Sequence, residues 1–332
     1  MHAAETGGAV TPRRAILLMG PTGSGKSDLA MRLAEAFPVE IISVDSALVY
    51  RGMDIGTAKP SAAMRARVAH HLIDIRDPAQ GYSAGEFTQD AVRAMQDIWS
   101  RGRYPLLVGG TMLYFHTLTH GIAELPEGDR AVRAAIDAQA ASSGWPSVHR
   151  ELAQVDAAAA ARIHCNDAQR IQRALEVYRL TGETITKLQQ NRVSVFADVE
   201  VTEIAVAPLE RGDLHTRIER RFDAMLEAGL LTEVRTLFER SDLSAEHPSM
   251  RAVGYRQLWR HLAGQCALEE ARNQAVAATR QLAKRQLTWL RRRECAQWFD
   301  SMQADVARTM IDALLQGGFS VSFDPHRLGS LC

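Results

Sequence analysis

The chain has 332 residues, enough to bury a substantial core in one large or two smaller domains. Its 39 basic and 39 acidic residues cancel, so overall charge selects no partner, and 46% hydrophobic with 23% charged residues is the composition of an ordinary soluble globular enzyme. No apolar stretch approaches the roughly 20 residues that span a bilayer. The cysteines Cys165, Cys266, Cys295 and Cys332 form no C-x-x-C pair, which suits a reduced cytoplasmic protein without structural zinc.

In chain order, residues 1–14 lack a hydrophobic run and read as a disordered tail rather than a signal peptide. The apolar run 15–19 predicts a strand. It leads directly into Gly20, Pro21, Thr22, Gly23, Ser24, Gly25, Lys26 and Ser27, which fit G-x-x-x-x-G-K-[ST], the phosphate-cradling loop of nucleotide-binding proteins. Backbone N–H groups of such a loop converge on an anion, Lys26 adds a positive charge, and Ser27 offers a hydroxyl to a divalent metal. The following apolar spacing over 28–35 suits a helix whose positive end faces the ligand.

Two further apolar runs end in polar residues: 40–44 at Asp45 and Ser46, and 105–108 at Gly109, Gly110 and Thr111. Short strands that are apolar on both faces, separated by helical stretches, predict a parallel sheet covered by helices. Ligands of such sheets bind beyond the carboxyl ends of the strands, which makes Asp45 and Thr111 neighbours of the loop. On these grounds alone Asp45 is a magnesium-positioning carboxylate or a helix cap, and Thr111 is a cap for the helix that starts at Met112.

After Gly121 the chain changes in character. Residues 127–190 are rich in Ala, Arg and Gln, show no convincing strand, and carry Asp156 and Asp167 as expected N-caps and Gly182 as a helix stop. Residues 122–197 read as a helical insertion domain within an α/β core formed by residues 15–121 and 198–320. A strand over 201–207 resumes that core. The helix over 213–228 carries Arg217, Arg220 and Arg221. From Thr279 to Arg293 there are six basic residues and no acidic one, with Arg280, Lys284 and Arg291 near one helix face. Such a segment is either a solvated face or a stripe that tracks a nucleic-acid backbone.

Eight segments together decide among these possibilities: GPTGSGKS at 20–27, DSALVYRGMDIGTAKP at 45–60, HHLIDIRDP at 70–78, YSAGEF at 82–87, LLVGGTMLYF at 106–115, NDAQRIQRALEVYRLTG at 166–182, MRAVGYRQLW at 250–259 and TRQLAKRQLTWLR at 279–291. In this order they resemble the tRNA dimethylallyltransferases (isopentenyl-diphosphate:tRNA transferases), in a bacterial-type form without a C-terminal zinc finger. The resemblance implies a fold like that of P-loop nucleoside triphosphatases. It also implies transfer of a dimethylallyl group from its diphosphate to N6 of adenosine 37, in tRNAs reading codons that begin with U. Mg²⁺, through Ser27, and the loop residues 20–27 would stabilise the departing diphosphate.

The same resemblance makes Asp45 the acceptor of the N6 proton, puts Thr111 beside the reacting pair and assigns Arg221 to the diphosphate, although Arg217 or Arg220 could take its place. It assigns tRNA contacts to Asp45, Ser46, Ala47 and Leu48, to Thr111 and Arg133, and to Gln169, Arg170, Ile171, Gln172 and Arg173. Further contacts fall on Arg251, Ala252, Val253, Gly254, Tyr255 and Arg256, and on Lys284, Arg285, Gln286 and Arg291. Tyr50, Arg51, His70 and His71 are left without a role. Nothing in the chain demands more than a monomer. A nucleotide kinase sharing the loop would need an arginine-bearing lid and has no use for the basic stripe. A purely RNA-binding protein has no use for Asp45 and Thr111 at neighbouring strand ends.

Overall fold

The computed structural model describes residues 12–123, 125–190 and 193–319. Six strands form one parallel sheet in the order β3-β2-β4-β1-β5-β6: β1 (Arg13–Met19), β2 (Val39–Val44), β3 (His70–His71), β4 (Tyr104–Gly109), β5 (Val199–Ala207) and β6 (Gln297–Asp300). Ala15 to Met19 and all of β2 are buried, as both-sided helix cover requires of such runs. β1 starts at Arg13, so the expected tail is shorter than 14 residues by at least two, and residues 1–11 lie outside the described residues. β3 and β6 were not predicted. β3 has only two residues, and β6 is a half-exposed edge with no apolar alternation to announce it.

Among the described residues the chain divides into two compact units. One runs up to His116 and resumes at Phe196; the other is Thr117–Val195. In the first unit, the helices Lys26–Ala36 and Val306–Gln316 cover one apolar cluster together with Ile16, Leu18, Ile41, Leu106 and Ile204. A second cluster joins the helices Arg211–Glu227, Leu230–Phe238, Tyr255–Leu262 and Leu268–Leu290 through Ile218, Phe222, Val234, Tyr255 and Ala275. The last of these helices starts well before the basic segment and ends at Leu290, so Arg291 to Arg293 follow its end.

The second unit consists of helices and the loops between them among its described residues, with Ile136, Val148, Leu152, Ile171 and Leu175 as its core. Asp156 caps the helix Ala157–Arg162 and Asp167 caps Ala168–Thr181, which Gly182 ends in the left-handed conformation at φ 71°. Glu176, a fully buried carboxylate of this unit, accepts from Arg133 Nε at 2.7 Å, Arg173 Nη1 at 2.6 Å and the Asp129 amide at 2.9 Å. Burial alone would raise the Glu176 pKa; the hydrogen bonds from Arg133 and Arg173 outweigh it and hold the carboxyl below its ordinary value. No helix among the described residues is long and apolar enough to cross a membrane.

Candidate active site

Three strand ends converge at one register position. Met19 of β1 and Val44 of β2 both lie opposite Gly109 of β4. The approach is so close that a Cβ on Gly109 would sit 2.0 Å from the Val44 carbonyl oxygen. The phosphate loop, Asp45 and Gly110-Thr111 therefore leave the sheet side by side, as expected for ligands bound beyond the strand ends.

Gly25, at φ 90°, opens the helix Lys26–Ala36 from a conformation that side chains rarely adopt. Lys26 Nζ donates to the Pro21 carbonyl at 2.7 Å and to Ser24 Oγ at 3.4 Å. Burial pushes its pKa down to about 7; the Arg221 guanidinium adds to the shift and the Asp45 carboxylate opposes it. These three charges thus sense one another at the same place. Asp45 Oδ1 accepts from the Ala47 amide at 2.8 Å. Thr111 Oγ1 accepts from the Ser46 amide at 3.1 Å, and the Thr111 amide donates to the Val44 carbonyl at 3.2 Å. The Thr111 hydroxyl therefore braces the turn that carries Asp45.

Two cavities meet here, of about 410 Å³ and about 90 Å³. They share Thr22, Asp45, Thr57, Gly110, Arg221 and Gln286. Ile218, Phe222 and Met225 give the larger one an apolar wall, while Lys26 and Ser27 line the smaller. Of the three arginines left open by the sequence, Arg221 lines both cavities. Arg217 donates to Met302 Sδ at 3.2 Å and brings Nη2 to 3.1 Å from where a Gly25 Cβ would be; Arg220 is exposed.

Two residues that sequence reasoning missed support the site. The Glu233 carboxylate accepts from the amides of Asp54, Ile55 and Gly56 at 2.8, 2.7 and 3.1 Å, and from the Tyr255 hydroxyl at 2.6 Å. It thereby fixes the cavity wall at Gly56 and Thr57. Ser43 Oγ is buried without a hydrogen-bond partner and its residue lines the smaller cavity, as do Ser27 and Asp45. Oxygen donors of this kind suit a hard divalent cation that keeps water and substrate phosphates as its other ligands. Among the described residues no cluster of three or more His, Cys, Asp or Glu forms a metal cage.

A family model described as IPP transferase matches residues 48–293. The tRNA dimethylallyltransferase of Nitrosococcus oceani is 58% identical over 291 residues, covering 88% of this chain and 93% of that protein. The chain belongs to the IPP transferase family. The tRNA dimethylallyltransferase of Bordetella pertussis is 54% identical over 307 residues, with 92% of this chain and 98% of that one covered. Among solved structures, the full-length tRNA isopentenylpyrophosphate transferase of Bacillus halodurans superposes with a TM-score of 0.68 at 36% identity, over 92% of this chain and 96% of that one. A eukaryotic dimethylallyltransferase solved while acting on tRNA gives a TM-score of 0.79 at 25% identity, over 94% of this chain and 81% of that one.

With the family established, the residues assigned to RNA by resemblance fall into distinct environments. Lys284, Arg285 and Arg291, together with Arg292, are exposed and make no ion pair among the described residues. Arg280 and Arg293 do not belong with them, because Glu219 and Glu203 already hold them at 2.8 and 2.6 Å. Leu282 is half-buried and lines the larger cavity with Thr279, Arg285, Gln286 and Trp289, which share a helix face.

Gln169 and Arg170 are exposed, Arg170 pairing with Asp167 at 3.0 Å. Ile171 is a correction: it is fully buried in its unit's core, so its side chain cannot touch RNA. Gln172 donates to Asp137 at 2.6 Å, and Arg133 and Arg173 are engaged by Glu176. Arg251 pairs with Glu246 at 2.9 Å and Arg256 is exposed. Ala252, Val253 and the fully buried Tyr255 line the larger cavity beside Gly254, and Leu48 lines the smaller one. Of the residues without a role, Tyr50 is core, Arg51 is exposed, His71 meets Glu40 at 2.8 Å, and His70 faces the smaller cavity.

Proposed function

We propose that the chain transfers a dimethylallyl group from dimethylallyl diphosphate to N6 of adenosine 37 of tRNAs that read codons beginning with U, and releases diphosphate. The observation that carries this reading is the meeting of a phosphate loop and a carboxylate, Asp45, at the junction of two cavities. The exocyclic N6 attacks the allylic carbon, the carbon–oxygen bond breaks, and its electron pair leaves on the diphosphate. Lys26, Arg221 and the loop amides receive that charge. Asp45 accepts the N6 proton and hands it to solvent. Ser27, with Asp45 nearby, would hold Mg²⁺, which when bound neutralises part of the diphosphate charge.

The apolar wall of Ile218, Phe222 and Met225 shelters the isoprenoid from water. Adenosine 37 must leave its stack in the anticodon loop, at a cost of a few kcal/mol that contacts to the surrounding RNA offset. The exposed cations Lys284, Arg285 and Arg291 supply such contacts, as do the helices of residues 122–197 through Gln169 and Arg170. We place the enzyme in the cytoplasm as a monomer. Incubation with dimethylallyl diphosphate and unmodified tRNA, followed by nucleoside mass analysis, should yield N6-(dimethylallyl)adenosine. Readily consumed ATP with unmarked tRNA would refute the reading in favour of a kinase.

A further inference from the structure

Gln286 stands within the segment whose resemblance points to RNA, yet its side chain faces away from that duty. Its Oε1 accepts from the Thr22 amide of the phosphate loop at 2.9 Å, and its Nε2 donates to the Gly110 carbonyl at 2.8 Å. The amide orientation is forced, because flipping it would set donor against donor at Thr22 and acceptor against acceptor at Gly110. The contact is tight enough that a Cβ on Gly110 would lie 2.5 Å from Nε2. Gln286 also lines both cavities, as do Thr22 and Gly110.

We infer that Gln286 is a positioning residue for the transfer step and not an RNA-reading one. The inference rests on the function proposed above. The side chain closes a chain of contacts from the phosphate loop through Thr22, Gln286 and Gly110 to Thr111, whose hydroxyl braces the Asp45 turn. The leaving-group loop and the proton acceptor are thereby held at one separation by a single amide from the helix Leu268–Leu290. In-line transfer needs that separation, since a misplacement of about 1 Å costs on the order of a hundredfold in rate.

The test compares wild type, Gln286→Met and Gln286→Glu in steady-state transfer with dimethylallyl diphosphate and unmodified tRNA, each below its melting transition. Met keeps the length and removes both hydrogen bonds. It should lower kcat by about a hundredfold while leaving the KM for tRNA and the salt slope of tRNA binding unchanged. Glu keeps the acceptor for Thr22, repels the Gly110 carbonyl and adds negative charge beside the loop. It should lower kcat and also raise the KM for dimethylallyl diphosphate. A raised tRNA KM and flattened salt slope with kcat intact would overturn the inference, and so would full activity in both variants. A wild type that leaves tRNA unmodified would fell the functional reading and this inference with it, whereas an active wild type matched by Gln286→Met fells the inference alone.

Discussion

Asp45, Thr111, Gln286 and Glu233 each hold at least one neighbouring backbone group by a hydrogen bond, so these four side chains are fixed in place. Lys284, Arg285, Arg291 and Arg292 are exposed and free of ion pairs among the described residues. The contrast fits the role proposed for each region. Stabilising a charge that develops during bond breaking requires groups already in place, because reorganisation then adds nothing to the barrier. Holding an RNA backbone requires net positive charge at the surface more than fixed geometry, and counterion release supplies the affinity. The carboxylates Glu219 and Glu203 sharpen the difference by neutralising Arg280 and Arg293 while leaving the other four cations free.

The largest effect should come from the pre-organised region. Asp45→Ala is expected to lower transfer by about 10²–10⁴-fold, with tRNA affinity nearly unchanged; equal turnover in mutant and wild type would remove Asp45 from the chemistry. Lys26→Ala should cost about 10²–10³-fold in kcat/KM for dimethylallyl diphosphate. If RNA affinity collapses in that variant instead, the division between the two regions is misplaced.

A third change addresses the helical unit. Glu176→Ala should destabilise its fold by about 3 kcal/mol, the low end for a broken buried pair because Arg133 and Arg173 can turn back to solvent. The pH dependence has a definite sign. The folded pKa of Glu176 lies below its ordinary value of 4.5, so the carboxylate's contribution is fully present above that value and is lost as pH falls through the folded one. Denaturant melts should therefore show the wild type converging on the mutant in acid. A constant gap at all pH values would mean that the ion pairs add nothing.

The smaller effects belong to the exposed region. Reversing Lys284 and Arg291 to Glu should reduce the salt slope of tRNA binding by about 1–2 and leave kcat at saturating tRNA intact. Arg280→Ala should change neither by a measurable amount, since Glu219 already neutralises it. A large loss of tRNA affinity in Arg280→Ala would show that the ion pair opens to meet RNA.

The parts legible in the sequence were those encoded locally. The phosphate loop, the strands ending at Asp45 and Thr111, and the caps Asp156 and Asp167 each declare themselves within about a dozen residues. Gln286 and Glu233 do not, because their partners lie far off along the chain: 264 residues from Gln286 to Thr22 and 179 from Glu233 to Asp54. Arg133 and Arg173 were assigned to RNA by resemblance, and only the packed unit reveals the buried Glu176 that engages both while their side chains stay partly exposed. Ile171 sits one residue from exposed Arg170, yet the helical period turns it into the core.

The central claim is that the phosphate loop carries a leaving group. It is tested most directly by a single-turnover reaction of enzyme, dimethylallyl diphosphate and unmodified tRNA without ATP, with diphosphate and modified nucleoside quantified together. One diphosphate should be released for each N6-(dimethylallyl)adenosine formed, at matching rates. Diphosphate release without modified adenosine, or modification that proceeds only when ATP is hydrolysed, would contradict it.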